Sequence, residues 1–340
     1  MSICRGHSPF APCLMAGLSS TVLDEGARRL ILDDGIGAFI LFGRNISNPQ
    51  DLGLLCDSVR NTCNEAGLAP AIIAVDQEGG PVRRLRPPHW PDVASNADVA
   101  RALDPCRAVL EQARAVAACL IPLGIHLDFA PVLDVSGFER KGVLDRRTYG
   151  PDPAHVARLG AIFIDTLQGL GVMATAKHFP GIGRVEEDPH HGRPVVRAAK
   201  KDLARDLLPF RAAIEAGVAA VMTSHVVYPA LDDQYPATFS AVISRCILRD
   251  ELGFSGVLVT DDLEMGGITR YGDIGSAAVR AFQAGHDLLL VCHREDRVRR
   301  VLDALEDARR MGEIPERRIE EALERLAVLR ARIEAFTHVM

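Results

Sequence analysis

Eight short apolar runs alternate with charged segments of helical period from one end of the chain to the other. The runs are Pro12–Ala16, Ala38–Phe42, Ala71–Val75, Leu127–Ala130, Val172–Ala176, Ala219–Thr223, Gly256–Thr260 and Asp287–Cys292. Most are continuously apolar and do not alternate with polar residues, as expected of strands buried on both faces of a parallel sheet. The intervening segments Pro49–Ala66, Asn96–Leu120, His155–Leu170 and Lys200–Ala216 carry helical periodicity, the first opening with Asn48 as N-cap and Pro49 at the first helical position. Eight strands alternating with helices predict an α/β fold, a (β/α)8 TIM-type barrel. A doubly wound open sheet is the alternative, but it would carry a glycine-rich phosphate loop near its start, and none is present. No linker divides the 340 residues, so residues 1–340 are expected to form one domain, with helices over about 294–335 packing on the barrel. A partner interface is the competing use for that last stretch.

Composition closes off several function classes. A net charge of −6 and 5% aromatic residues argue against nucleic acid and anionic membrane surfaces as partners. No stretch is long and apolar enough to span a bilayer. The FAPCLMAGL segment faintly resembles a signal peptide, but Pro12 interrupts it and it reads better as a first core strand. The eight cysteines contain no C-x-x-C pair and read as buried thiols of a reducing, cytoplasmic compartment.

A barrel carries its active site at the C-terminal ends of its strands. Here polar and ionisable residues gather at those ends. Asp76-Gln77-Glu78-Gly79-Gly80 follows the third run, with Arg83 and Arg84 close behind. Asp134 and Arg146-Arg147-Thr148-Tyr149 follow the fourth, Lys177-His178-Phe179-Pro180-Gly181 the fifth, Ser224-His225 the sixth and Asp261-Asp262 the seventh. Chance would scatter such residues over both rims, so the pattern reads as an enzyme. Lys177 carries extra weight, because the 39 Lys and Arg residues include only four lysines. A compact ammonium fits where a planar guanidinium does not.

The loop after the fifth run, KHFPGIGRVEEDPHHGRPVV, is shaped by glycine and proline. Asp188, two residues before His190, can orient the imidazole and raise its basicity, and a His so held can act as general acid and then base. Read alone, the same residues also suit a metal site or a solvated loop. Asp261-Asp262 is equally open: one carboxylate can be a nucleophile while the other caps backbone N–H groups.

Taken together, AVDQEGGPVRRL, DFAPVLDV, RRTYG, ATAKHFPGIGRVEEDPHH, MTSHVVYPALD and GFSGVLVTDDLEMGGI resemble the family 3 glycoside hydrolases. The resemblance is closest to the short, single-domain bacterial β-N-acetylhexosaminidases of the peptidoglycan-recycling type, and runs from about residue 10 to about 310. It implies a retaining exo-β-N-acetylglucosaminidase that acts on terminal β-linked N-acetylglucosamine, as in muropeptides. It implies Asp261 as nucleophile, His190 as acid/base and Asp188 as its partner, departing from the usual pair of carboxylates. Asp76, Arg84, Arg147, Lys177 and His178 would bind the sugar, with His225 on the same rim. No cofactor and no metal are implied, and the expected partner is a carbohydrate substrate bound by a monomer. Two departures stand out: Ile182 replaces a His of the family's usual KHFPGHG, and Pro189 lies where a Ser is common.

The weighed alternatives are phosphorolysis or β-glucosidase activity on the same barrel, a metal-dependent hydrolase using His178, His190, His191 and Asp261, and a sugar-binding barrel without turnover. The metal reading is disfavoured because PCLMAGLSS offers no H-x-H at the end of the first strand.

Overall fold

The computed structural model describes residues 6–137, 142–187 and 194–337. Eight parallel strands close into a barrel: β1 (Leu14–Gly17), β2 (Ala38–Leu41), β3 (Ile72–Val75), β4 (Leu127–Asp128), β5 (Met173–Phe179), β6 (Ala220–Thr223), β7 (Val257–Asp262) and β8 (Leu288–Val291). Chain neighbours are sheet neighbours, and β8 pairs back onto β1 through Leu14–Leu289 and Ala16–Val291. Every residue of β2, β3 and β8 is buried, which is why these strands are continuously apolar: one face fills the barrel and the other meets the helices.

All eight expected strands are present, but several ends move. β1 begins at Leu14, because Ala11–Cys13 forms a tight helical turn around Pro12. β5 runs on to Phe179 and β7 to Asp262, so Lys177, His178, Asp261 and Asp262 sit within strands and not after them.

Helix starts follow capping chemistry. Asp24, Asn48, Asp104 and Asp152 each accept a backbone N–H from the first turn of the helix that follows, and the last three precede a proline at the first helical position. That chemistry corrects two expected helices. Asn96–Leu120 divides into Asn96–Ala100 and Pro105–Leu120, because Asp104-Pro105 starts a new helix. Lys200–Ala216 divides into Lys200–Asp206 and Leu208–Glu215, with Pro209 in the first turn of the second. The last stretch is likewise two helices, α1 (Glu295–Arg310) and α2 (Glu316–Thr337), separated at Gly312 and Pro315.

The final helix is fastened to the barrel by charge. Asp287, fully buried just before β8, pairs with Arg249 at 2.7 Å through one oxygen, and with Arg318 at 3.0 Å and Arg325 at 3.1 Å of α2 through the other. Arg318 also donates to the carbonyls of Phe282 and His286. Among the described cysteines Cys246 is exposed and Cys106 half-buried, so the expectation of uniformly buried thiols holds only for the other five. No described helix is long and apolar enough to cross a membrane.

Candidate active site

The strand ends surround a cavity of about 560 Å³ at the C-terminal mouth of the barrel. Its first wall is built by the segment after β3. Gln77–Gly79 pairs antiparallel with Val82–Arg83, and Gly79 takes φ +92°, where an added Cβ would lie 2.3 Å from the Ala94 carbonyl. The Gln77 side chain locks this turn, its Oε1 accepting from the backbone N–H groups of Arg84 and Leu85 and its Nε2 donating to the Leu85 carbonyl. The turn brings Arg84 back onto Asp76, at 2.9 Å.

From β5, Lys177 reaches between two acids, 2.8 Å from Asp76 and 2.7 Å from Glu78. Arg147 grips Glu78 with two parallel bonds of 2.8 and 2.7 Å and donates to the Val143 carbonyl. Asp76, Glu78, Arg84, Arg147 and Lys177 thus form one network, in which Glu78 and Lys177 are almost wholly buried. Burial alone would raise the Asp76 carboxyl, but Lys177 and Arg84 outweigh it and hold the group down at about 2. Glu78 is lowered in the same way by Lys177 and Arg147 against its burial. Lys177 is raised, because Asp76 and Glu78 overcome the desolvation of its ammonium. The network is therefore fixed in charge, with a single ammonium serving both acids.

His178 presents its imidazole beside this network. Its Nδ1 lies 2.7 Å from the buried carboxylate of Asp134, whose other oxygen accepts the Ile182 N–H at 2.7 Å. Asp134 accepts, so Nδ1 donates, and Nε2 has no hydrogen-bond partner among the described residues. Ile182 lines the cavity, so an apolar side chain stands where the family's His is expected. Gly183 follows closely, where an added Cβ would lie 1.8 Å from the Val135 carbonyl.

Opposite, Asp261, the penultimate residue of β7, lies half-buried on the cavity wall, and its Oδ1 accepts the Asp262 N–H at 2.8 Å. The Asp262 carboxylate accepts the Glu264 N–H, the capping role expected of the second Asp. His225 also lines the cavity, but Nε2 donates to the Asp262 carbonyl at 2.9 Å and Nδ1 lies 2.6 Å from Thr238 Oγ1. Burial lowers its pKa despite Asp261 nearby. Both nitrogens are committed to the protein, so His225 braces β7 and offers no hydrogen bond to a sugar.

Asp76, Arg84, Arg147, Lys177, His178, His225 and Asp261 thus all line the one cavity. Asp188, His190 and Pro189 lie outside the described residues. The flanks are described: Glu186–Glu187 pairs antiparallel with Pro194–Val195, which pairs with Val227 beyond it, and Val185 and Pro194 line the cavity. Arg184, just before Val185, is committed to Asp206 at 2.7 Å. Sequence reasoning placed Glu78 and Asp134 at the strand ends but gave neither a role in the site. Glu78 was findable, because it stands two residues after Asp76 at a strand end, where alternate residues share a face. Among the described residues no set of three His, Cys, Asp or Glu side chains converges as metal ligands.

Comparison with known proteins agrees with this geometry. Residues 17–329 match the glycosyl hydrolase family 3 N terminal domain. A β-hexosaminidase of Thiobacillus denitrificans is 38% identical over 301 residues, covering 86% of this chain and 81% of that protein. The structure of a family 3 β-N-acetylglucosaminidase from a Paenibacillus species superposes with a TM-score of 0.92 at 39% identity over 98% of this chain. The chain spans 63% of that longer enzyme, under two thirds of its length. A β-N-acetylhexosaminidase from Beutenbergia cavernae superposes with a TM-score of 0.86 at 28% identity, covering 97% of this chain and 99% of that one. The chain therefore belongs to glycosyl hydrolase family 3, as a glycoside hydrolase built on a (β/α)8 barrel.

Proposed function

We propose that this protein is a retaining exo-β-N-acetylglucosaminidase that removes terminal β-linked N-acetylglucosamine from peptidoglycan-derived muropeptides. The observation that carries the reading is the shared cavity: Asp261 faces it from β7, and the Asp76–Lys177–Glu78–Arg147 network faces it from β3, β5 and the Arg147 loop. Ionised Asp76 offers acceptors to sugar hydroxyls, while Arg84, Arg147, Lys177 and Nε2 of His178 offer polar groups around the ring. Asp261 attacks the anomeric carbon as the glycosidic C–O bond breaks, and a covalent glycosyl-enzyme forms. His190, oriented by Asp188, gives its proton to the leaving oxygen and then takes one from the incoming water. Water displaces Asp261, and the two inversions give retention.

The name of the Paenibacillus enzyme supports N-acetylglucosamine as the sugar, and those of the other two support a hexosamine. Residues 1–340 act in this reading as one domain and as a monomer. The seven described cysteines are all free thiols, which supports a cytoplasmic setting. The test is turnover of p-nitrophenyl N-acetyl-β-glucosaminide beside the β-glucoside. The N-acetylglucosaminide should be favoured by at least about 10², or roughly 2.7 kcal/mol of transition-state discrimination. Equal rates on both would defeat the reading.

A further inference from the structure

Three carboxylates crowd the end of β7. Glu264 is held by Arg297 at 3.0 Å and by the backbone N–H of His293 at 2.5 Å. Asp262 is the joint between the others. Its N–H donates to Asp261, its carbonyl accepts from His225, and its Oδ1 accepts the Glu264 N–H. Its remaining oxygen, Oδ2, lies 3.2 Å from Nε2 of His293, a half-exposed residue of the cavity wall.

Which atom faces Asp262 follows from the other ring nitrogen. Nδ1 of His293 lies 3.3 Å from Nη1 of Arg44. A guanidinium has N–H donors and no acceptor, so Nδ1 presents its lone pair and Nε2 carries the hydrogen. That hydrogen faces Asp262 Oδ2. Arg44 is itself anchored, its Nε to the Leu18 carbonyl at 2.7 Å and its Nη2 to the Cys292 carbonyl at 2.5 Å. The imidazole lies against Phe42, with ring centroids 5.4 Å apart. Both ring nitrogens and one ring face are therefore engaged, by Phe42 and Arg44 after β2 and by Asp262, the last residue of β7.

We propose that His293, with its tautomer fixed by Arg44, is a positioning residue for Asp261: it steadies the Asp262 side chain, and the Asp262 N–H steadies the nucleophile. The inference rests on the reading of Asp261 as nucleophile. A reacting atom displaced by about 1 Å can lose about 10²-fold in rate, so a donor that holds one oxygen while the other attacks has kinetic value. No proton is transferred in this role.

The experiment compares His293→Phe, which keeps the ring against Phe42 and removes both nitrogens, with His293→Gln, which returns an amide donor. Each is measured for kcat and KM on p-nitrophenyl N-acetyl-β-glucosaminide, and for the rate of covalent adduct formation with a fluorinated glycosyl fluoride, read by intact mass. His293→Phe should lower kcat by about 10-fold or more with KM within about 2-fold, and slow adduct formation in parallel. His293→Gln should stay within about 3-fold of wild type. ¹⁵N spectra of the wild-type imidazole should place the hydrogen on Nε2. Unchanged kcat in His293→Phe, a change confined to KM or folded yield, or a hydrogen on Nδ1 would each overturn the proposal. If His293→Phe does not fold, the His293→Gln kinetics and the spectrum still decide it. Asp261→Asn runs alongside: if it retains turnover, the nucleophile reading itself has failed, whereas an inactive Asp261→Asn beside a fully active His293→Phe sinks only the role of His293.

Discussion

Glu78→Gln removes one charge from the buried network and leaves its shape almost intact. Glu78 Oε1 lies 2.7 Å from both Lys177 and Arg147, and the three side chains are 1%, 3% and 10% exposed respectively. At an effective dielectric of about 20, attraction across such a contact is roughly 6 kcal/mol, most of it offset by desolvation. Removing one partner from a buried pair costs about 3–5 kcal/mol, because the other charge is left behind. Gln keeps a carbonyl acceptor and Lys177 keeps Asp76, so the lower end, about 3 kcal/mol, applies. The network would pass from two acids against three cations to one against three, and Lys177 and Arg147 would no longer share an anchor. Urea unfolding followed by circular dichroism should show that loss with an unchanged m-value. kcat/KM should fall by about 10², equivalent to roughly 2.7 kcal/mol. A variant within about 0.5 kcal/mol of wild type and fully active would refute the claim that Glu78 holds the two cations.

Asp261→Asn should lower turnover by about 10⁴ or more on good and poor leaving groups alike, as measured with dinitrophenyl and disaccharide substrates. His190→Ala should be impaired most where the leaving oxygen is basic; on a dinitrophenyl glycoside a burst and azide rescue to the β-glycosyl azide are expected, and uniform loss without either would move the acid/base role elsewhere on the loop. Asp76 and Glu78 both have depressed pKa values, so their stabilisation is complete above the unfolded carboxylate value of about 4 and is lost as pH falls through their lowered native values, about 2 for Asp76. An acid titration by circular dichroism should show that loss, and Glu78→Gln should show less of it.

The barrel was legible because burial on two faces forces a strand to be continuously apolar, as in AFIL and LLLV. Strand ends were harder. Lys177 and Asp262 are polar, yet both still pair within the sheet, so hydropathy ends a strand where hydrogen bonding continues it. Asp104-Pro105 could have divided the helix drawn through it, but helical period outvoted capping chemistry there. In the site, chain proximity to strand ends located Asp76, Lys177, His178 and Asp261. It did not expose partnerships that depend on register, such as Lys177 reaching two acids or Asp134 reaching His178. His225 shows the converse: the rim position was right, but which way its nitrogens face depends on Thr238 and Asp262.

The triple grip on Asp287 bears on when this chain can fold during synthesis. Two of its three counter-ions, Arg318 and Arg325, are made some thirty residues or more after it. Until they emerge, seating β8 between β7 and β1 would strand a carboxylate in a dry interior with Arg249 alone, a cost of several kcal/mol. The ribosome therefore delivers all eight strands before the circle can shut, and the closing step waits for the last helix. Chains stalled before Arg318 should remain open and protease-sensitive, although every barrel strand has already been made.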